Sequence, residues 1–532
     1  MRIKTLSASV CAAMCVIPIL AADFGSIRRL ATEQGTPITR KTRITGTVIC
    51  RRDSPNREYN PNIGDDTVDT LPNAVTSYIQ SRDGRHGLRL QFDSPEALTL
   101  TFGERATLDL RGCTVTREND PERYTVSGLT SENIVSARSG GRIAEKRKSI
   151  GELTDEDIYT LVTVRDAEFV FGNGRYANAD ESCLRRADSM RGMADGLQRL
   201  LRNGDNEQLA MLVNAGCGWR HGAVPRGAGD IRGIIVHTRM RRYGDSTARY
   251  AIRPNDVSDI DIAPTAASQF KTLVEWNWDD NPRAELKFEY HGTRKARYGS
   301  IIGDRILPDK GYGFLSTDSG AYLSAGDDYD AQPDSSTAAD KHGKHRAAAK
   351  NGIRKYGALR LDSDSRDWFR FDAERRYAGG NALIAETSTD GIDGTVLTLD
   401  FTFGAGDGRA KRALRYPVRW RVEYSTDGET FTPVDSGPVI MRPVPYKPGK
   451  DEYMGDMPLY YDTCTGLTEH SVTLPSSLFG RKRIFIRITP ADNRVSWAPA
   501  DASSPLAERE ADFMFTCYRA SLRFGTVAIK YR

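Results

Sequence analysis

The 532-residue chain is 39% hydrophobic and 27% charged, with 75 basic against 71 acidic residues and a net charge of +4. At ~100–200 residues per domain this length predicts about three or four separate cores. The composition excludes wholesale disorder and a bundle of membrane-spanning helices, and the near-neutral balance gives no global pull toward a polyanion.

The chain opens on a leader. Arg2 and Lys4 precede an uncharged apolar stretch over 6–20, and Ala21 and Ala22 follow it. A basic start, a short apolar run and small residues at the cut make a secretory signal over residues 1–22. About 15 apolar residues are short for a membrane span, which takes ~20. Cys15 follows Met14, a poor setting for a lipid-accepting cysteine, so plain cleavage is expected. Cleavage removes Arg2 and Lys4 and no acid, leaving +2 and six cysteines in an oxidising compartment. No later stretch is apolar and long enough to span a membrane. The expected location is secreted, periplasmic or the outer cell surface.

The fold class read from the pattern is mainly β: two OB-like barrels followed by a jelly-roll β-sandwich. Over 23–137, short strands are predicted at 42–50, 75–80, 87–92, 106–110, 126–129 and 134–135. Leu88, Leu90 and Phe92 alternate onto one face, and Asp83-Gly84 marks a turn. About five short strands in a hundred residues suit a small closed barrel of the OB type. The Gly- and charge-rich stretch within 138–152 reads as a linker. A second barrel is expected over 153–264, starting on a long strand at 161–171. Met193, Leu197, Leu200 and Leu201 stand at helical spacing, and 231–238 with 249–252 reads as a hairpin. From 265 to 532 longer strands alternate with turns such as Asp427-Gly428, which suits a two-sheet sandwich. Residues 319–350 are rich in Ser, Ala, Gly and Asp and read as a mobile insertion.

Three stretches carry a family resemblance. They are Thr42–Cys50 leading to Tyr78–Gln80 and Gly87–Leu90, then Tyr159–Phe171, then Ile231–Val236 closing on Ser258–Ile260. Together they resemble a domain of unknown function common in secreted and surface proteins of Bacteroidota, and that resemblance implies tandem OB folds over about 27–262. Trp420-Arg-Val-Glu-Tyr-Ser-Thr-Asp-Gly428, with 395–403 and 483–489, is similar to a galactose-binding-like β-sandwich that follows such units. The resemblance implies location and architecture and supplies no reaction.

The six later cysteines fall two to a unit: Cys50 and Cys113, Cys183 and Cys217, Cys464 and Cys517. One disulfide per unit and buried free thiols both fit. No Cys-x-x-Cys metal spacing, His-Glu-x-x-His helix or Gly-x-Ser-x-Gly elbow is present. His342 and His345 lie in the low-complexity insertion and make no convincing metal site. No cofactor is expected, apart from a structural calcium that the acidic loops Asp327-Asp328-Tyr329-Asp330 and Asp362-Ser363-Asp364 could hold.

Arg239, Arg241, Arg242, Arg249 and Arg253 flank Tyr243 on the last hairpin of the second barrel, where OB folds take oligonucleotides or oligosaccharides. Tyr312, Tyr322, Tyr446, Tyr453 and Trp497 are loop aromatics able to stack on sugar rings. Glu275 and Glu289 are strand carboxylates that a hydrolase would need facing each other. The leading expectation is a secreted or cell-surface binding protein for polysaccharide, or for another surface protein, without a catalytic constellation. A hydrolase built on the sandwich and an extracellular nucleic-acid binder are the alternatives.

Overall fold

The computed structural model describes residues 23–58, 70–174, 176, 199–214, 216–237, 248–277, 288–289, 302–303, 305–318, 323–324, 359–361, 369–371, 376–380, 382–406, 419–435, 439–440, 468–491, 494–497, 507–510 and 521–532. The chain is mainly β. Among the described residues no helix is long and apolar enough to cross a membrane.

The first sheet holds eight strands: β1 (Thr36–Pro37), β2 (Arg43–Val48), β3 (Thr76–Gln80), β4 (Gly87–Phe92), β5 (Arg105–Asp109), β6 (Thr114–Glu118), β7 (Arg123–Leu129) and β8 (Ile134–Arg138). Their order is β1-β6-β7-β4-β3-β2-β5-β8, with β4 and β7 parallel. β5 and β6 are the halves of one segment bent at Leu110–Cys113, where Gly112 takes a positive φ of 89°. One half pairs with β2 and the other with β7, so the sheet closes into the OB barrel that the pattern predicts. The Thr114–Glu118 strand is an addition to the sequence reading. So is the helix Phe24–Leu30, which Asp23 caps by accepting from the Ser26 N–H at 2.6 Å. It buries Phe24 and Ile27 against the barrel.

The second barrel contains β9 (Lys146–Lys148), β10 (Leu161–Phe169), β11 (Arg199–Arg202), β12 (Gln208–Met211), β13 (Ala228–His237), β14 (Tyr250–Arg253) and β15 (Ile260–Asp261). Strands β10 to β14 close because β13 pairs with both β14 and β10, and β12 runs parallel to β14. Two expectations are corrected. Leu200 and Leu201 stand on a strand instead of a helix, and every residue of β11 is buried, the flanking Arg199 and Arg202 included, so no face is left to water; Met193 and Leu197 lie outside the described residues. The basic run read as linker is the edge strand β9, whose Lys146 and Lys148 clamp the buried Asp157 carboxylate at 2.8 and 2.6 Å.

One continuous apolar core runs through both barrels, from Phe24 to Ile262. Backbones come close where they meet: a Cβ added at Gly87 would stand 1.9 Å from the Tyr159 carbonyl oxygen. Asn56 donates to the Leu212 and Pro254 carbonyls, and Asn255 to that of Ile49, tying the barrels together.

The sandwich has its own core. One sheet is built on the long strand Ser521–Tyr531, which pairs with Leu397–Gly406 on one side and with Lys271–Trp276 and Leu359–Leu361 on the other. The second sheet includes Arg305–Ile306, Gly313–Thr317, Leu383–Thr387, Ile484–Pro490 and Arg419–Ser425, in that order. Arg419–Ser425 turns through Asp427 and Gly428 to pair with Thr432–Pro433, the hairpin expected there. Buried Trp276 spans the two sheets by donating from Nε1 to the Ile306 carbonyl at 3.0 Å.

The sandwich meets the second barrel through charge. Leu397, Leu399, Phe401 and Phe403 face its core, while Thr398, Asp400 and Thr402 on the other face are also buried. Arg202 gives Nε to Glu168 at 2.9 Å and Nη1 to Asp400 at 2.9 Å, and its guanidinium lies 3.6 Å from the Phe270 ring centroid. Lys530 reaches Asp400 at 3.0 Å and the Val170 carbonyl at 2.7 Å. Arg199 pairs with Glu469 at 2.9 Å, and Glu469 also accepts from the Leu200 N–H. The three cations and three anions of this junction balance.

Substituting Asp400→Asn leaves Arg202 with Glu168 alone and takes the carboxylate from Lys530 in a buried site, and should cost about 3–5 kcal/mol in urea unfolding. Burial opposes ionisation of Asp400, yet Arg202 and Lys530 hold its carboxyl below the ordinary value; Asp157 is depressed likewise against burial, by Lys146 and Lys148. Their contribution is present above the unfolded carboxylate pKa of ~3.9 and is lost as pH falls through the depressed folded values. Glu469 acts in the opposite sense, because burial raises it and ionisation then costs stability as pH rises. Urea midpoints taken between pH 6 and pH 2.5 should fall on the acid side less steeply for Asp400→Asn than for the parent. Gly87→Ala should destabilise by about 1–3 kcal/mol or more through backbone overlap, read from the same curves.

Candidate binding surface

With one sheet of the sandwich pressed against the barrel, the other carries a face directed away from the sandwich core. Strand alternation decides which residues it holds. Gly313, Leu315 and Thr317 turn inward, so Phe314 and Ser316 turn outward. In register across three neighbouring strands stand Phe314, Glu386 and Phe485. One row along stand Ser316, Ile384, Arg487 and Glu423.

Just before the strand Gly313–Thr317, Tyr312 is 72% exposed, and its ring packs edge-on to Phe314 at 5.8 Å. Arg305, on the adjoining strand, lies over the Phe314 ring at 5.0 Å. Glu386 takes both Nε and Nη2 of Arg483, at 2.9 and 2.7 Å, and that guanidinium lies 4.9 Å from the Phe485 centroid. The result is a strip of aromatic rings separated by an acid and flanked by guanidinium groups. Neighbouring strands are about 4.8 Å apart, so Phe314 and Phe485 stand about 10 Å from each other.

The next row is more enclosed. Glu423 is 2% exposed and is held by Arg421 at 2.7 Å and Arg487 at 2.6 Å. Arg487 is sandwiched over Phe431 at 3.9 Å and approaches Asp318 at 3.7 Å. Asp318 also accepts from the Tyr377 hydroxyl at 2.7 Å. Burial pushes the Asp318 carboxyl up, with Tyr377 and Arg487 pulling against it. These groups bind one another and brace the same face of the sheet beside the open strip.

Of the candidate residues, Tyr312 lies on this surface. Arg249 lies elsewhere, where the two barrels adjoin, and its guanidinium is engaged by Asp120 at 3.0 Å and Asp155 at 3.1 Å. Tyr250 donates to the same Asp155 at 2.5 Å. Burial opposes the Asp155 charge, but Tyr250, the Glu122 N–H and Arg249 outweigh it and lower its pKa. Arg253 is buried. Arg239, Arg241, Arg242, Tyr243, Tyr322, Tyr446 and Tyr453 lie outside the described residues. Trp497 ends the strand Arg494–Trp497, paired with Ala507–Glu510 apart from both large sheets.

The strand carboxylates do not form a facing pair on one sheet. Glu275 and Glu289 belong to different sheets, and Glu275 pairs with Lys310 at 2.8 Å. Among the described residues no group of His, Cys, Asp and Glu is arranged to hold a metal. The acidic loops considered for calcium, and His342 and His345, lie outside them. Of the two alternatives for the first unit, Cys50 and Cys113 take the second, as separate buried thiols. Cys50 receives the Tyr78 N–H at 3.3 Å and lies 3.2 Å from the Ser77 hydroxyl, while Cys113 faces the Gly128 carbonyl. Burial raises both thiols, Cys113 to about 11. Cys217 is buried, and Cys183, Cys464 and Cys517 lie outside the described residues.

Arg305, Phe314, Glu386 and Arg483 escaped the sequence reading. The available signal was the outward phase of Phe314 and Glu386 beside the turn Lys310-Gly-Tyr-Gly313, but that phase needs the core face to be known first.

No family model matches the chain, and no curated protein matches it. Two solved structures show slight similarity. The K2 cleaved adhesin domain of Lys-gingipain is 13% identical, with 33% of this chain and 81% of that one covered, at a TM-score of 0.12. A "putative sugar binding protein" from Bacteroides thetaiotaomicron is 11% identical, with 49% and 97% covered, at a TM-score of 0.13. Values this low bear on neither fold nor ligand, which rest on the geometry above.

Tyr312→Ala should leave stability within about 0.5 kcal/mol, since the ring is largely in water. Arg487→Met should cost several times that, because Glu423 loses one of two cations that offset its burial. Paired urea curves check the contrast.

Proposed function

We propose that the chain is a carbohydrate-binding protein of the cell exterior and that the outer strip of the sandwich takes the sugar. The observation that carries this reading is Tyr312, an exposed ring beside Phe314, backed by polar groups at fixed positions. A pyranose has an apolar C–H face and a rim of hydroxyls. The first stacks on aromatic rings, and the second needs donors and acceptors of both kinds. Tyr312 and Phe314 supply the faces. Glu386 supplies acceptors, and Arg305 and Arg483 supply donors. Side chains locked on a sheet are held in advance, so little ordering cost falls on binding.

The leader expected over residues 1–22 is the motive for placing the protein outside the cytoplasm. Polysaccharide is the partner this chemistry suits, and nothing in the reading calls for catalysis. Nucleic-acid binding through the barrel hairpin gains no support from Arg249, whose charge is spent on Asp120 and Asp155. A hydrolase on the sandwich would need two accessible acids. Glu423, which shares Arg487 with Asp318, is enclosed between two guanidinium groups.

Affinity gel electrophoresis of the chain without residues 1–22, against a panel of soluble polysaccharides, tests the proposal. Retardation by at least one polymer is expected, with Tyr312→Ala weakening it about tenfold, or about 1.4 kcal/mol. No retardation by any polymer, or retardation indifferent to Tyr312, overturns it.

A further inference from the structure

The strip is not electrically neutral, and its charge is unevenly committed. Arg483 is paired with Glu386. Arg481 donates Nε to the Ser477 carbonyl, and Lys482 beside it is exposed. Arg305 differs from these. Among the described residues it forms no ion pair and no hydrogen bond, and its contact is the Phe314 ring. Arg305, Arg481, Lys482 and Arg483 stand against Glu386, the turn residue Asp390 and Glu289, the register partner of Arg305 on the neighbouring strand, so the strip keeps a small positive excess.

The posture of Arg305 adds geometry to charge. A guanidinium lying on a ring has one face covered and presents its N–H edge in the plane of the stack. A planar edge with two parallel donors matches a carboxylate, which accepts both bonds in one plane. The adjoining Tyr312 offers a sugar its flat surface, and Lys482 and Arg481 extend the positive field beyond the strip. From this juxtaposition we infer that the occupant is an acidic polysaccharide, with the carboxylate of a uronic acid residue taken by Arg305 and its ring, or the next one, stacked on Tyr312. The inference rests on the carbohydrate reading and adds the charge class of the polymer.

Esterified polymers separate the two claims, since methylation removes the charge and keeps the sugar chain. Polygalacturonate and alginate are each compared with their esterified forms by affinity electrophoresis at low and moderate salt, with dextran sulfate as a further arm. Tighter binding of at least one acid form, by tenfold or more over its ester, is expected. That preference should shrink as salt rises and vanish in Arg305→Gln, leaving acid and ester bound alike. Tyr312→Ala should weaken both forms. Equal binding of acid and ester, or an acid preference that survives Arg305→Gln, overturns the inference and leaves the carbohydrate reading standing. Dextran sulfate bound as tightly as the uronate and equally sensitive to Arg305→Gln also overturns it, because the site would then read charge alone. Failure of every polymer, neutral and acidic, overturns the carbohydrate reading itself. Unchanged urea curves for Arg305→Gln keep the comparison free of folding effects.

Discussion

The contact between Arg202 and Asp400 governs how the molecule is put together. Arg202 belongs to the second barrel and Asp400 to the sandwich, and each is almost wholly removed from water. Around them Glu168, Lys530, Ser471 and Thr398 satisfy the remaining donors and acceptors. A buried ion pair recovers its desolvation cost only when geometry is good and its other hydrogen-bonding groups are met. The junction therefore tolerates one arrangement of the sandwich against the barrel and penalises sliding, because a displaced strand would leave a charge without a partner. The interface of the two barrels follows another logic. Its core is apolar and continuous, fixed by close backbone approach and a few asparagines, with Arg249 and Asp120 paired at the rim.

This difference positions the outer strip. The sheet containing Asp400 is covered on both faces, by the sandwich core and by the barrel. The opposite sheet carries its aromatic and charged residues on the face turned away from that core. Beside the open strip, on the same face, Arg487, Glu423, Asp318, Tyr377 and Phe431 form a braced polar cluster. The strip is thus bordered by groups whose own hydrogen bonds are made, so the sheet that positions it depends little on what binds.

Much of the fold could be read because period-two alternation is direct evidence of a half-buried strand. Leu88, Leu90 and Phe92, or Leu397, Leu399, Phe401 and Phe403, needed no further information. The same rule does not extend to the junction. Thr398, Asp400 and Thr402 look like a solvent face, since a polar residue in phase normally meets water, and here it meets another domain. Leu200 and Leu201 looked helical because a strand buried on both faces loses its alternation and leaves only spacing to judge by. Lys146 and Lys148 looked like linker because their use, holding Asp157, depends on a residue about ten positions away whose burial the pattern does not reveal. Among the site residues Tyr312 was legible from its turn. Arg305 was not, since its contact with the Phe314 ring is a property of the assembled sheet.

The strand Ser521–Tyr531 has a bearing on the order of folding. Its pairing with Lys271–Trp276 and Leu397–Gly406 joins stretches far apart along the chain, and Lys530 bonds to Val170 across 360 residues. Such contacts repay their loop-closure entropy late, and topologies rich in them assemble slowly. Both barrels close using residues before 262, so they can complete while the sandwich still lacks its central strand. Until that strand arrives, the sheet edges at 271–276 and 397–406 are open, and the half-built sandwich is the stage at which the chain is most prone to pair with a neighbour.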